Sequence, residues 1–180
     1  SNNFFSNALA TGDFNADGKA DLVVGAWGYS SSTGRAYMFY NDGSIPTTAG
    51  TADVILTGEA TDSEFSVSLA SGDFNADGKI DIAVGGRRYS TYTGRVYFFY
   101  NDGLYPAGAS TSDLSITGEA TNDSFAFSLA SGDFNADGRT DLAVGAYAYT
   151  TNTGRVYTFY NDGSIPTTAA TADVKMTGET

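Results

Sequence analysis

Cysteine and histidine are both absent from the 180 residues. Without cysteine there is no disulfide, no thiolate metal site and no thiol nucleophile. Without histidine the commonest general base near neutral pH is missing too. Basic side chains are scarce, 9 against 21 acidic ones, and the net charge is −12. That balance argues against nucleic acid or an anionic membrane as a partner. No apolar run approaches the ~18 residues of a membrane span, so no membrane insertion is expected. The first residues show no basic segment leading into an apolar one, so no signal peptide is read in this chain. Its serines and lysines stand in no nucleophile-elbow pattern. Paired carboxylates for glycoside hydrolysis are the one catalytic arrangement a sequence leaves open. The expectation is a protein that is not an enzyme.

What is present is rich in oxygen donors, aromatics and repetition. The stretch Asp13-Phe14-Asn15-Ala16-Asp17-Gly18-Lys19-Ala20-Asp21 recurs from Asp73 to Asp81 and from Asp133 to Asp141. Side-chain oxygens fall at loop positions 1, 3, 5 and 9, from Asp13, Asn15, Asp17 and Asp21. The second loop offers Asp73, Asn75, Asp77 and Asp81, and the third Asp133, Asn135, Asp137 and Asp141. At position 7, Lys19, Lys79 and Arg139 would each turn a backbone carbonyl inward and a cationic head to solvent. Alternating oxygens in a tight loop suit a hard cation taking six to eight oxygen ligands, and Ca2+ is favoured over Mg2+ because the cage is irregular. About three Ca2+ per chain are expected. An EF-hand is ruled out by spacing, since its position 12 needs a bidentate Glu and here reads Val24, Val84 or Val144. The competing reading is a set of Asx-turn hairpins with solvated carboxylates. Nine of the 21 acids lie in these loops, so the acidity reflects the loops more than a partner.

The loops begin at 13, 73 and 133, a period of 60 without insertion or deletion. Residues 1–60, 61–120 and 121–180 are read as three units of one repeat domain. In the second, Val67–Gly72 alternates like a strand, and Ile82–Gly85 is a continuous apolar run suited to a strand covered on both faces. Arg95–Tyr100 is rich in β-formers, Asn101-Asp102-Gly103 is a hairpin turn signal, and a fourth strand lies near Asp113–Thr117. No segment keeps helical periodicity. Four antiparallel strands per 60-residue repeat predict an all-β fold of β-propeller blades, three to the chain.

The run from Phe65 to Gly86 resembles the FG-GAP repeat of integrin α-subunit propellers. The FG element reads Phe5-Ser6, Phe65-Ser66 and Phe125-Ala126, and the GAP element Gly25-Ala26-Trp27, Gly85-Gly86-Arg87 and Gly145-Ala146-Tyr147. The resemblance implies a Ca2+ loop in the hairpin between first and second strands, and an adhesion or protein-binding role. It also implies that the loops joining strands two and three lie on the opposite face. Those loops differ most between repeats and hold Trp27, Tyr29, Arg87, Tyr89, Tyr147 and Tyr149 as candidate ligand-binding residues. Trp, Tyr and Arg are the residues enriched at interface hot spots. The partner would be a protein, or a glycan if the chain is a multivalent lectin. A third reading is a structural or designed scaffold with no ligand. Arg35, Arg95 and Arg155 are expected to hydrogen-bond, and Phe14, Phe74 and Phe134 to anchor their loops.

Three blades fall short of the four to eight of a closed propeller. Each chain is expected to hold whole blades, with apolar residues such as Val23, Ile82 and Val84 on two exposed faces. Such faces mark interfaces, and the expectation is a homodimer closing a six-bladed ring. Weak calcium sites fill where calcium is millimolar, which points outside the cell or to its surface.

Overall fold

The structure, a computed structural model, describes residues 2–179. Strands β1–β4 span Leu9–Gly12, Asp21–Ala26, Arg35–Phe39 and Val54–Thr57. Strands β5–β8 span Phe65–Gly72, Asp81–Gly86, Arg95–Phe99 and Leu114–Thr117. Strands β9–β12 span Ser128–Gly132, Asp141–Ala146, Arg155–Phe159 and Val174–Thr177. Each group of four forms one antiparallel sheet in chain order. The fold is all-β, three four-stranded sheets with the form of propeller blades.

Apolar runs explain why the second strand of each blade sits inside its sheet. All six residues of β6 are buried, as a strand covered on both faces requires. Its side chains divide between two cores: Ile82 and Val84 meet the first blade, and Ala83 meets the third. In β2 the corresponding split sends Val23 toward the second blade and Val24 to the outer side. Val23, Ile82 and Val84 are thus fully buried, contrary to their expected place on exposed faces. A continuous apolar run carries no alternation from which its phase can be read. The apolar side chains left exposed on the outer blades include Phe5 and Leu9 on the first, and Phe134 and Met176 on the third.

Hydrogen bonds also join the blades. Along the first strands, Ser71 Oγ donates to the Thr11 carbonyl at 2.8 Å and Ser131 Oγ to the Ser71 carbonyl at 2.7 Å. Asn101-Asp102-Gly103 opens a long connection over residues 100–113 rather than a tight hairpin, because Asn101 N–H is drawn to Asp81 of the same blade.

The loop after each second strand is strained. Ser30, Ser31 and Ser32 stand at φ 47°, 56° and 58°, and the matching residues of the other blades do the same. Bonds from Gly34 N–H to Tyr29 O (3.1 Å) and Thr33 Oγ1 to Ser30 O (2.8 Å) clasp this left-handed turn. A non-glycine residue there costs ~1–2 kcal/mol, whereas glycine loses ~0.5–1 kcal/mol to chain entropy. Ser31→Gly is therefore expected to raise stability by about 0.5–1 kcal/mol, measured as a higher urea midpoint.

Candidate metal loops and the opposite loop face

Each candidate metal loop hangs on one ladder rung, Gly12–Asp21, Gly72–Asp81 or Gly132–Asp141. From there the chain turns back on itself through Gly18, Gly78 and Gly138, whose φ values of 84°, 87° and 87° suit glycine. The loop oxygens organise the turn. In the first loop Asp17 N–H donates to Asp13 Oδ1 at 2.9 Å and Asn15 Oδ1 at 3.1 Å. Gly18 N–H donates to Asp13 Oδ2 at 2.8 Å, and Lys19 N–H to Asp17 Oδ1 at 2.9 Å. The other two loops repeat this pattern within 0.1 Å.

The last aspartate differs from the rest. Asp21, Asp81 and Asp141 are buried. Asp81 accepts from Phe74 N–H at 2.9 Å through one oxygen and from Asn101 N–H at 2.8 Å through the other. It thereby pins the loop to the chain leaving the third strand. Burial pushes its pKa up to about 6, against the pull of those two donors.

The position-7 side chains also find oxygen partners. Lys19 keeps its exposed place while its Nζ donates to Asp17 Oδ2 at 3.0 Å, and that hydrogen bond lowers the Asp17 pKa. Lys79 Nζ and Arg139 Nη1 reach the carbonyls of Asn101 and Asn161 at 3.0 and 3.3 Å. Cationic heads are drawn to the oxygens around the loop. By kind and order the donors suit a hard cation: three carboxylates and an amide oxygen per loop. Each oxygen accepting one N–H keeps a second lone pair. Among the described residues no three acidic side chains meet at a common centre.

At the opposite end, the variable residues have partners inside the protein. Trp27 stacks on Phe4 with centroids 4.2 Å apart and planes 7° apart. At the matching position Arg87 Nε pairs with Glu64, which also accepts from Arg88 Nη1 at 3.1 Å. Tyr147 tilts onto Phe127 at 4.6 Å. Tyr29, Tyr89 and Tyr149 each lie under a guanidinium, those of Arg35, Arg95 and Arg155, at 3.8, 3.8 and 3.7 Å. Each of these arginines donates through Nε to Thr57, Thr117 or Thr177 Oγ1 at 3.2, 3.0 and 3.0 Å. One face of each tyrosine ring is therefore covered by its own blade.

Sequence reasoning passed over Phe4 and Glu64. The first two repeats carried a signal: position 4 changes together with position 27, Phe with Trp and Glu with Arg, whereas in the third Tyr147 pairs with Phe127 at position 7. Phe14 and Phe74 are buried as loop anchors, while Phe134 is exposed because no sheet packs over it here.

The FG-GAP repeat family matches residues 125–159, and the FG-GAP-like repeat family residues 13–84. Phosphatidylinositol-glycan-specific phospholipase D of Mus musculus is 36% identical over 190 residues, covering 95% of this chain and 22% of its own. Integrin alpha-PS2 of Drosophila melanogaster is 33% identical over 162 residues, covering 81% of this chain and 12% of its own. The chain thus spans about a fifth or less of the length of these relatives. Among solved structures, the V. cholerae biofilm matrix protein Bap1 aligns over 88% of this chain and 27% of its own, at 17% identity and a TM-score of 0.32. Among the described residues no helix is long and apolar enough to cross a membrane.

Proposed function

Because the chain belongs to the family of FG-GAP, integrin-like repeats, we propose that it is a calcium-stabilised propeller module for protein recognition. The observation that carries this reading is the threefold loop with its oxygens at positions 1, 3, 5 and 9, each placed on the same rung of its blade. Asp13, Asn15, Asp17 and Asp21 would hold the ion in the first loop, together with the Lys19 carbonyl, and the matching residues in the other two. A bound cation would supply the counter-charge that lets the three carboxylates converge. The module would work where calcium is millimolar, outside the cell or at its surface. Recognition would fall to the loops at the other end, where Trp27, Arg87 and Tyr147 differ from blade to blade on a shared frame. The phospholipase activity named for some relatives belongs to proteins about five times longer. With no histidine or cysteine in the chain and its loop carboxylates engaged by backbone donors, a binding role is favoured over a catalytic one.

Calorimetric titration of the chelated protein tests the metal reading. Three equivalents of Ca2+ are expected, falling to two in Asp77→Ala, with Mg2+ binding at least tenfold more weakly. Uptake of no calcium, or a stoichiometry unchanged by Asp77→Ala, would overturn it. Surface binding to extracellular matrix proteins, set beside a glycan array, tests the recognition reading. Glycan hits without protein hits would replace it with a lectin.

A further inference from the structure

Two blade-to-blade contacts form within the chain, and they are alike. At the first, Glu59 accepts from Arg95 Nη1 at 3.2 Å and from the Tyr97 hydroxyl at 2.7 Å. At the second, Glu119 accepts from Arg155 Nη1 at 3.2 Å and from the Tyr157 hydroxyl at 2.9 Å. Beside each, the end of a fourth strand donates into the next blade, Thr57 N–H to Ala107 O at 3.2 Å and Thr117 N–H to Thr167 O at 3.1 Å. A phenylalanine of the next blade fills the groove between, its backbone and Cβ lying directly on two glycines: Phe65 on Gly34 and Gly58, and Phe125 on Gly94 and Gly118. Both phenylalanines are 0% exposed.

The outer blades carry the two unmatched halves of this same contact. On the third blade, Glu179 and the Thr177 amide stand in the positions of Glu59 and Thr57, with no partner among the described residues. The groove beside them is open: a Cβ at Gly154 would meet only its own blade. It is a cavity of about 500 Å³ whose lining includes Gly145, Gly154, Val156 and Met176. Met176 is 56% exposed where its counterparts Leu56 and Ile116 are 1% and 0%. On the first blade, Phe5 is 46% exposed and, among the described residues, Arg35 and Tyr37 have no glutamate before them. That half is already shaped. Phe5 meets Tyr37 edge-on at 5.7 Å and 63°, as Phe65 meets Tyr97 at 5.5 Å and 66°. Arg35 sits on Tyr29 and Thr57 as Arg95 sits on Tyr89 and Thr117.

We propose that a second copy of this chain docks head to tail on the third blade. Its Phe5 enters the glycine groove, and its Arg35 and Tyr37 take Glu179. Its Thr47 carbonyl receives the Thr177 amide. The occupant is a first blade of this chain because the groove repeats one that Phe65 and Phe125 fill twice over within it. The count of copies rests on the propeller reading above: rings hold four to eight blades, and among multiples of three only six qualifies. Two contacts related by a twofold axis then close the ring and leave no blade face bare.

Light scattering on the 180-residue protein in millimolar calcium is expected to give twice the chain mass. Glu179→Arg sets arginine against arginine at both contacts and should give single chains, as should Arg35→Glu, which sets glutamate against glutamate. Mixing the two variants should restore the double mass, since every contact then pairs one Glu with one Arg. A variant that merely failed to fold would not be rescued by mixing; should Arg35→Glu misfold, Phe5→Asp replaces it and is expected to give single chains. A wild type of single mass, or single variants that keep the double mass, overturns the proposal. A ladder of larger species overturns the closed ring. Calcium titration of the same sample separates the readings: a chain that binds three ions yet stays single refutes the docking alone.

Discussion

Gly94→Ala should destabilise the chain by about 2–5 kcal/mol and part the second blade from the third. Gly94 stands at φ +80°, where an alanine pays ~1–2 kcal/mol in left-handed strain. Its Cβ would lie 2.0 Å from the Phe125 carbonyl oxygen and within 2.8 Å of that residue's carbonyl carbon and amide nitrogen. Backbone cannot swing aside as a side-chain tip can, so the blades must separate to admit the methyl. Separation draws Phe125 out of its groove and lengthens the Glu119 contacts to Arg155 and Tyr157. Gly154 supplies the control. It has the same backbone conformation, φ +79°, but its nearest neighbour is Tyr147 O at 3.4 Å. In dilute single chains Gly154→Ala should cost only the strain. Denaturant unfolding of the pair checks this, and equal losses would show that the groove is no tighter than open backbone.

The blade was legible in the sequence because one pattern occurs three times with no slip in register. Strand positions, loop oxygens and the rung that closes each loop follow from local spacing. What was illegible is what depends on the next blade. The Ile82–Gly85 run shows that a strand is buried but not which side chain faces which neighbour, so the inward place of Val23, Ile82 and Val84 cannot be read from it. Glu59 meets Arg95 and Tyr97 across 36 and 38 residues, and no local periodicity links them. The loop residues Trp27 and Arg87 look like ligand contacts because they vary. Their partners, Phe4 and Glu64, vary with them, so a change in one is matched by a change in the other within the fold. Of the candidate site, the order of donors could be read directly. The return of Lys19 to Asp17 could not, since it depends on which charges lie near the tip of a long side chain.

Asp81→Ala should cost about 4 kcal/mol even when all metal is chelated, whereas Asp77→Ala under the same conditions should leave the unfolding midpoint near that of the wild type. Both aspartates belong to one proposed cation site, so loss of the ion alone would make them equivalent. Their surroundings are not. Asp77 is exposed at the loop tip, where water can replace it as acceptor for Lys79 N–H. Asp81 is buried and receives Phe74 N–H and Asn101 N–H from two separate stretches of chain. Alanine leaves both buried donors unpaired, at ~1–3 kcal/mol each. Asparagine should recover little, since its amide offers one acceptor and turns a donor toward the other N–H. The position-9 aspartate therefore first fastens the loop to the chain leaving the third strand, and second would complete the proposed cation site. Chelator-present unfolding of the two variants separates these roles, and equal midpoints would reduce Asp81 to a ligand and nothing more.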